Sequence, residues 1–191
     1  MRFFLTSFED AREWCRGRNW FVRLPFLLYF IYVLVRHLQD PDYTSVLGGI
    51  NLGIHELGHF IFAFFGETLH VAGGTIFQLF VPIFGIGTFL RQRDYFGIAF
   101  AIGWLSTNLF EVATYAADAS SMELPLIAPF AGGEEVIHDW NFLLSAMNIL
   151  QYDQTVGWIF KVLGIISMLV CFLLGGWVLW QMAWQKSSPE R

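Results

Sequence analysis

The chain has 191 residues, of which 55% are hydrophobic and 14% charged, with a net charge of -5. Soluble domains carry about 25% charged residues, so this composition, with a mean hydropathy of +0.52, excludes an ordinary soluble domain and points to one all-α integral membrane domain in a lipid bilayer. The net negative charge argues against nucleic acid as a partner, and Cys15 and Cys171, in unlike settings, argue against a disulfide framework or a cysteine zinc site.

Residues 1–19 are expected to form an amphipathic helix lying along the membrane surface. Thr6 and Glu9 have the spacing of a capping box. Phe4, Phe8, Ala11 and Trp14 recur at helical spacing beside Arg12, Arg16 and Arg18. A first span is expected at 20–38, with Arg23 and Arg36 able to snorkel from its ends. The arginines before it place the N-terminus in the cytoplasm, in a bacterial inner membrane. A second span is expected at 46–66. It contains Gly49 and Gly53, four apart, a spacing that lets another helix approach closely.

The second span also carries His55-Glu-Leu-Gly-His59. Residues four apart share a helix face, so His55 and His59 would aim two imidazoles at one ion. Glu56, beside them, would reach a water on that ion. This is the layout of a zinc hydrolase with Glu as general base. A carboxylate and two imidazoles inside an apolar segment are costly and point to a task.

Residues 71–90 are apolar but rich in helix breakers and β-formers, among them Gly73, Gly74, Pro82, Gly85 and Gly87. They are expected to be re-entrant and β-like, with a helix kinked at Pro82 as the alternative. Arg91 and Arg93 follow, and re-entrance would return them to the cytoplasmic side, as the charge rule prefers. A strand edge here would also hold an extended substrate peptide. Residues 95–115 form a further expected span, with Asn108 and Glu111 on one face. The polar stretch 116–136 contains Gly132, Gly133, Glu134 and Glu135. His138-Asp139-Trp140 opens a short helix over 139–150, with Asp139 suited to its N-cap. The last span is expected at 156–182, followed by a cytoplasmic tail. The total is a polytopic helical bundle of 4–5 spans.

Catalytic zinc usually takes three protein ligands and leaves one position open. Asp139 would complete a His, His, Asp set and His138 a three-His set. Asp118, Glu111 and His70 are the other candidates, and His138 is also suited to binding or orienting substrate.

The His55-Glu-Leu-Gly-His59 helix, the glycine-rich apolar stretch after it and a later Asp on another helix resemble the site-2 protease family of intramembrane zinc metallopeptidases. The family's second motif is of the Leu-Asp-Gly type. This chain has none, and His138-Asp139-Trp140 is the nearest stand-in. The resemblance implies a small helical membrane bundle with zinc on His55, His59 and Asp139. Glu56 would be the base for hydrolysis of membrane-associated peptides, with a donor such as Asn108 on the oxyanion. The rival expectation is a structural subunit of a larger membrane complex that keeps the motif as a relic. A metal-transport reading would require a series of polar residues along several spans, which the chain lacks.

Overall fold

The structure, a computed structural model, describes residues 2–40, 42–125 and 137–187. The glycine pair Gly132-Gly133 and the acidic pair Glu134-Glu135 lie outside them. Among the described residues the architecture is all-α, with seven α-helices: α1 (Arg2–Cys15), α2 (Leu24–Gln39), α3 (Gly48–Phe62), α4 (Glu67–Gln92), α5 (Tyr95–Ala117), α6 (Asp139–Ala146) and α7 (Asp153–Ser187). Three helical segments, Glu67–Gln92, Tyr95–Ala117 and Leu150–Gln185, are long and apolar enough to cross a membrane.

The core is built on α5. Phe30 and Val33 of α2, Phe110 of α5 and Met168 and Cys171 of α7 form one buried cluster. Val112 and Ala116 pack with Trp140 and Leu144 of α6 in another. Two hydroxyls tie α5 to α7 across apolar surroundings: Ser106 donates to the carbonyl of Gly164 (2.7 Å) and Ser167 to that of Ile102 (2.8 Å). Both cysteines are free and buried.

The β-like reading of 71–90 is corrected. Residues 71–90 belong to one 26-residue helix, α4, about 39 Å long, and no strand occurs among the described residues. Where no water reaches the chain, a helix satisfies each backbone N–H internally, and that outweighs the low helix propensity of glycine and β-branched residues. Pro82 sits inside this helix without ending it. Docking of a peptide on a strand edge here falls with the strand. Position 6 falls within α1, which spans Arg2–Cys15, and the capping box expected of its side chain lies outside what the structure describes.

The directions of the helices follow from their contacts. Phe26 meets Phe96 and Phe100, Phe30 meets Phe100, and His37 stacks on Phe110. Thus α2 runs parallel to α5. In α3, Asn51 bonds Thr107 and Glu111, and His55 lies against Tyr115, so α3 also runs parallel to α5. At 16 and 15 residues, or about 24 and 22 Å, neither matches a hydrocarbon core of about 30 Å alone. Both lie along α5, α3 starting near the height where α2 ends. Helix α4 then returns antiparallel, with Gln78 beside Glu111, Gly85 beside Ala101 and Gly97 against Phe89. Arg93 thereby reaches Asp10 of α1 (3.2 Å). The arginines after α4 lie at the N-terminal end of the bundle although α4 is a full helix, because α2 and α3 do not reverse the chain between them.

Candidate metal centre

The site lies where α3, α4 and α6 meet, towards the C-terminal end of α5. Close approach of α3 to α4 depends on glycine. A Cβ on Gly58 would collide with the carbonyl of Gly73, and one on Gly73 would stand 2.7 Å from Cβ of Phe62. Gly49 and Gly53, by contrast, have nothing within 4 Å of an added Cβ, so their spacing serves no contact inside the described fold.

His55 and His59 aim from one face of α3 at Asp139, the first residue of α6. Nε2 of His55 is 3.0 Å from Oδ2 of Asp139, Nε2 of His59 is 3.2 Å from the same oxygen, and the two nitrogens are 3.1 Å apart. A tetrahedral zinc with bonds of about 2.0 Å sets its ligand atoms about 3.3 Å apart. The triangle fits one face of such a tetrahedron. The chemistry of the donors fits as well. Nδ1 of His55 faces Oε1 of Gln78 (3.1 Å) and Nδ1 of His59 faces the carbonyl of His70 (2.9 Å). Both partners accept, so each Nδ1 carries the ring's hydrogen and each neutral Nε2 is bare. Two bare nitrogens and a carboxylate oxygen converging at 3.0–3.2 Å repel unless a cation lies among them. His55 and Asp139 are buried and His59 half-buried.

The other ligand candidates are engaged elsewhere. His138, not Asp139, caps α6: its Nδ1 accepts the N–H of Asn141 (3.2 Å). Nε2 of His138 then carries the hydrogen and donates to Asp118 (3.3 Å). Both nitrogens are used, and the cap role expected of Asp139 passes to its neighbour, which frees the Asp139 carboxylate for the histidines. Asp118 also accepts from Ser121 and from the N–H groups of Glu123 and Leu124. Glu111 takes hydrogen bonds from Asn51 and Gln78. His70 donates Nδ1–H to the carbonyl of His59 (2.9 Å), closing a reciprocal pair that holds the His59 ring.

Glu56 makes no hydrogen bond or salt bridge among the described residues, and it lines the same cavity of about 1530 Å³ as His55, His59 and Asp139. Asn108 does not line it. Asn108 is fully buried and gives its N–H to the carbonyl of Trp104 (2.8 Å), so the expected oxyanion donor is pointed away. Tyr115, which sequence reasoning passed over, does line the cavity. Its oxygen accepts the N–H of Asp139 (3.0 Å) and its ring packs on His138 at 4.4 Å. The signal for it was slight: a phenol ending an apolar span. Gln78 was the stronger missed signal, a lone amide in an apolar helix. Comparison with protein-family models, with curated proteins and with solved structures finds no match, so the functional reading rests on this geometry.

Proposed function

We propose that this chain is a membrane-embedded zinc metallopeptidase of the site-2 protease kind, hydrolysing peptide bonds of membrane-associated substrates. One observation carries the reading: the two bare imidazole nitrogens and the Asp139 carboxylate form a tetrahedral face, while Glu56 stands unengaged on the same cavity. A relic motif has no need of oriented rings or a free carboxylate. When bound, zinc supplies Lewis-acid polarisation of a carbonyl and makes water acidic enough to attack near neutral pH. Glu56 takes the proton of the attacking water and passes it to the leaving amine. The oxygen of Tyr115 is pinned by the Asp139 N–H, so its own hydrogen is free to meet the carbonyl oxygen as negative charge develops there.

The same reading places the protein in a bacterial inner membrane. Arg12, Arg16 and Arg18 on and beside α1, with Arg91 and Arg93, mark one end of the bundle, which the positive-inside tendency assigns to the cytoplasm. The N-terminus is then cytoplasmic and the metal centre lies towards the opposite face.

The test uses full-length protein in detergent with a quenched-fluorescent apolar peptide, beside Glu56→Gln. Cleavage by wild type and none by Glu56→Gln, with about one zinc per chain in both, supports the proposal. Equal cleavage by the two proteins sinks it. So does an inactive wild type that copurifies with stoichiometric membrane partners, an outcome that favours the structural subunit.

A further inference from the structure

Beyond the triad, a largely buried polar cluster joins α3, α4 and α5 through Asn51, Gln78, Trp104 and Glu111. Its hydrogen bonds have a direction that can be worked out link by link. The indole N–H of Trp104 can only donate, and it meets Oδ1 of Asn51 at 2.8 Å. The amide oxygen of Asn51 therefore faces the indole, and its NH2 faces Glu111, at 2.9 Å from both carboxylate oxygens. The carboxylate accepts, so the group of Gln78 that faces it, at 3.2 Å, is the NH2. That leaves Oε1 of Gln78 for Nδ1 of His55 at 3.1 Å. An amide oxygen can only accept, so Nδ1 carries the hydrogen and Nε2 is left bare, towards Asp139 and His59.

With Glu111 ionised, each link admits one orientation, and the sequence ends on the lone pair that would hold the ion. We infer that Glu111 is a positioning residue for the metal centre: acting through Gln78, it fixes the tautomer of His55 and keeps Nε2 open to the metal. This rests on the metal-centre reading but not on peptidase activity. It also explains why a carboxylate is kept inside an apolar helix, at a position that donates no ligand atom.

The inference specifies what a change at Glu111 does. In Glu111→Gln, Asn51 still donates to the new amide's oxygen, so that amide must turn its NH2 towards Gln78. Gln78 then inverts, offering its oxygen to position 111 and its NH2 to His55. Nδ1 of His55 becomes an acceptor, and the ring's hydrogen moves to Nε2, into the metal position. Exchanging the two groups, Glu111→Gln with Gln78→Glu, restores every donor–acceptor match. The carboxylate then accepts directly from Nδ1–H of His55, and the amide at 111 donates to it.

The experiment reads ¹⁵N histidine spectra of the metal-free full-length protein in detergent, together with zinc affinity by chelator competition. The expected result is an Nδ1–H tautomer for His55 in wild type and an Nε2–H tautomer in Glu111→Gln. Zinc binding should weaken about 10–100-fold in Glu111→Gln, with tautomer and affinity both recovered in the exchanged pair. An Nε2–H tautomer in wild type overturns the inference, whether or not any variant folds. So does Glu111→Gln with wild-type tautomer and affinity, or an exchanged pair as weak as the single variant. Wild type that binds no zinc disposes of the metal reading, while its His55 tautomer still decides whether the relay operates.

Discussion

The backbone of Gly74 lies against the imidazole of His59: a Cβ at residue 74 would stand 2.6 Å from Nε2 of that ring, and 2.6 Å from Nε2 of His55. The first methyl group added to α4 at this point would enter the space where the two ligand nitrogens converge. Gly74→Ala should therefore abolish zinc binding while leaving the helix intact, since alanine is the stronger helix former. Gly49→Ala and Gly53→Ala, where an added Cβ meets nothing, serve as controls and should retain the metal. Metal analysis of the three purified variants checks this, and a Gly74→Ala protein that keeps its zinc contradicts the site's geometry.

Adjacent residues at the start of α6, the cap His138 and the proposed ligand Asp139, can be separated by substitution. Asp139→Ala removes a ligand atom, as His59→Ala does, and each should lose the metal. His138→Ala removes the helix cap and the bond to Asp118. It should lower stability by about 1 kcal/mol and retain zinc. Zinc content with thermal denaturation of each variant distinguishes these outcomes. Metal lost from His138→Ala and kept in Asp139→Ala would exchange the assignments.

Tyr115→Phe tests the phenol as the donor to developing charge. With a free hydrogen that acts only in the transition state, its loss should lower kcat about 10²–10³-fold with little change in KM and unchanged zinc content. Wild-type kcat in this variant would remove Tyr115 from the chemistry.

Asp118 makes stability depend on acid. Burial pushes its carboxyl up, but the N–H groups of Glu123 and Leu124, the Ser121 hydroxyl and His138 together hold it below the ordinary value. A group depressed in the folded state stabilises fully above its unfolded value, about 3.9 for aspartate. That contribution is lost as pH falls through the lower, folded value. Asp118→Asn should therefore lower the thermal midpoint at neutral pH and flatten its decline below about pH 4. Melting curves from pH 7 to 3 measure both, and parallel acid limbs in the two proteins would rule this contribution out.

How far the sequence was readable depends on whether the determining contact was local. His55, Glu56 and His59 lie on one helix, and helical periodicity alone brings them together. Asp139 could be put forward because it opens a helix after a glycine-rich stretch, but that it, and not His138, faces the two histidines depends on where the cap bond falls, a matter of backbone geometry. The β-like reading of 71–90 failed because propensity scores glycine as flexible. In the folded chain Gly58, Gly73 and Gly74 are points of contact between α3 and α4, and that role belongs to a pair of helices. The shared direction of α2 and α3 was hidden for a similar reason. Hydropathy counts apolar stretches one at a time and does not register that two short ones stack along a single neighbour.

The junction between α2 and α3 has one more consequence. Asp42, Tyr43 and Thr44, just before α3, open into the same cavity as Glu56 and the metal ligands. Irregular backbone in a membrane-facing bundle persists only beside protein or water, and the proposed hydrolysis would consume one water molecule per turnover. A single straight helix in place of α2 and α3 would present the same ligands behind a dry wall. Under the proposed function, the break between the two helices would be the way in for that water.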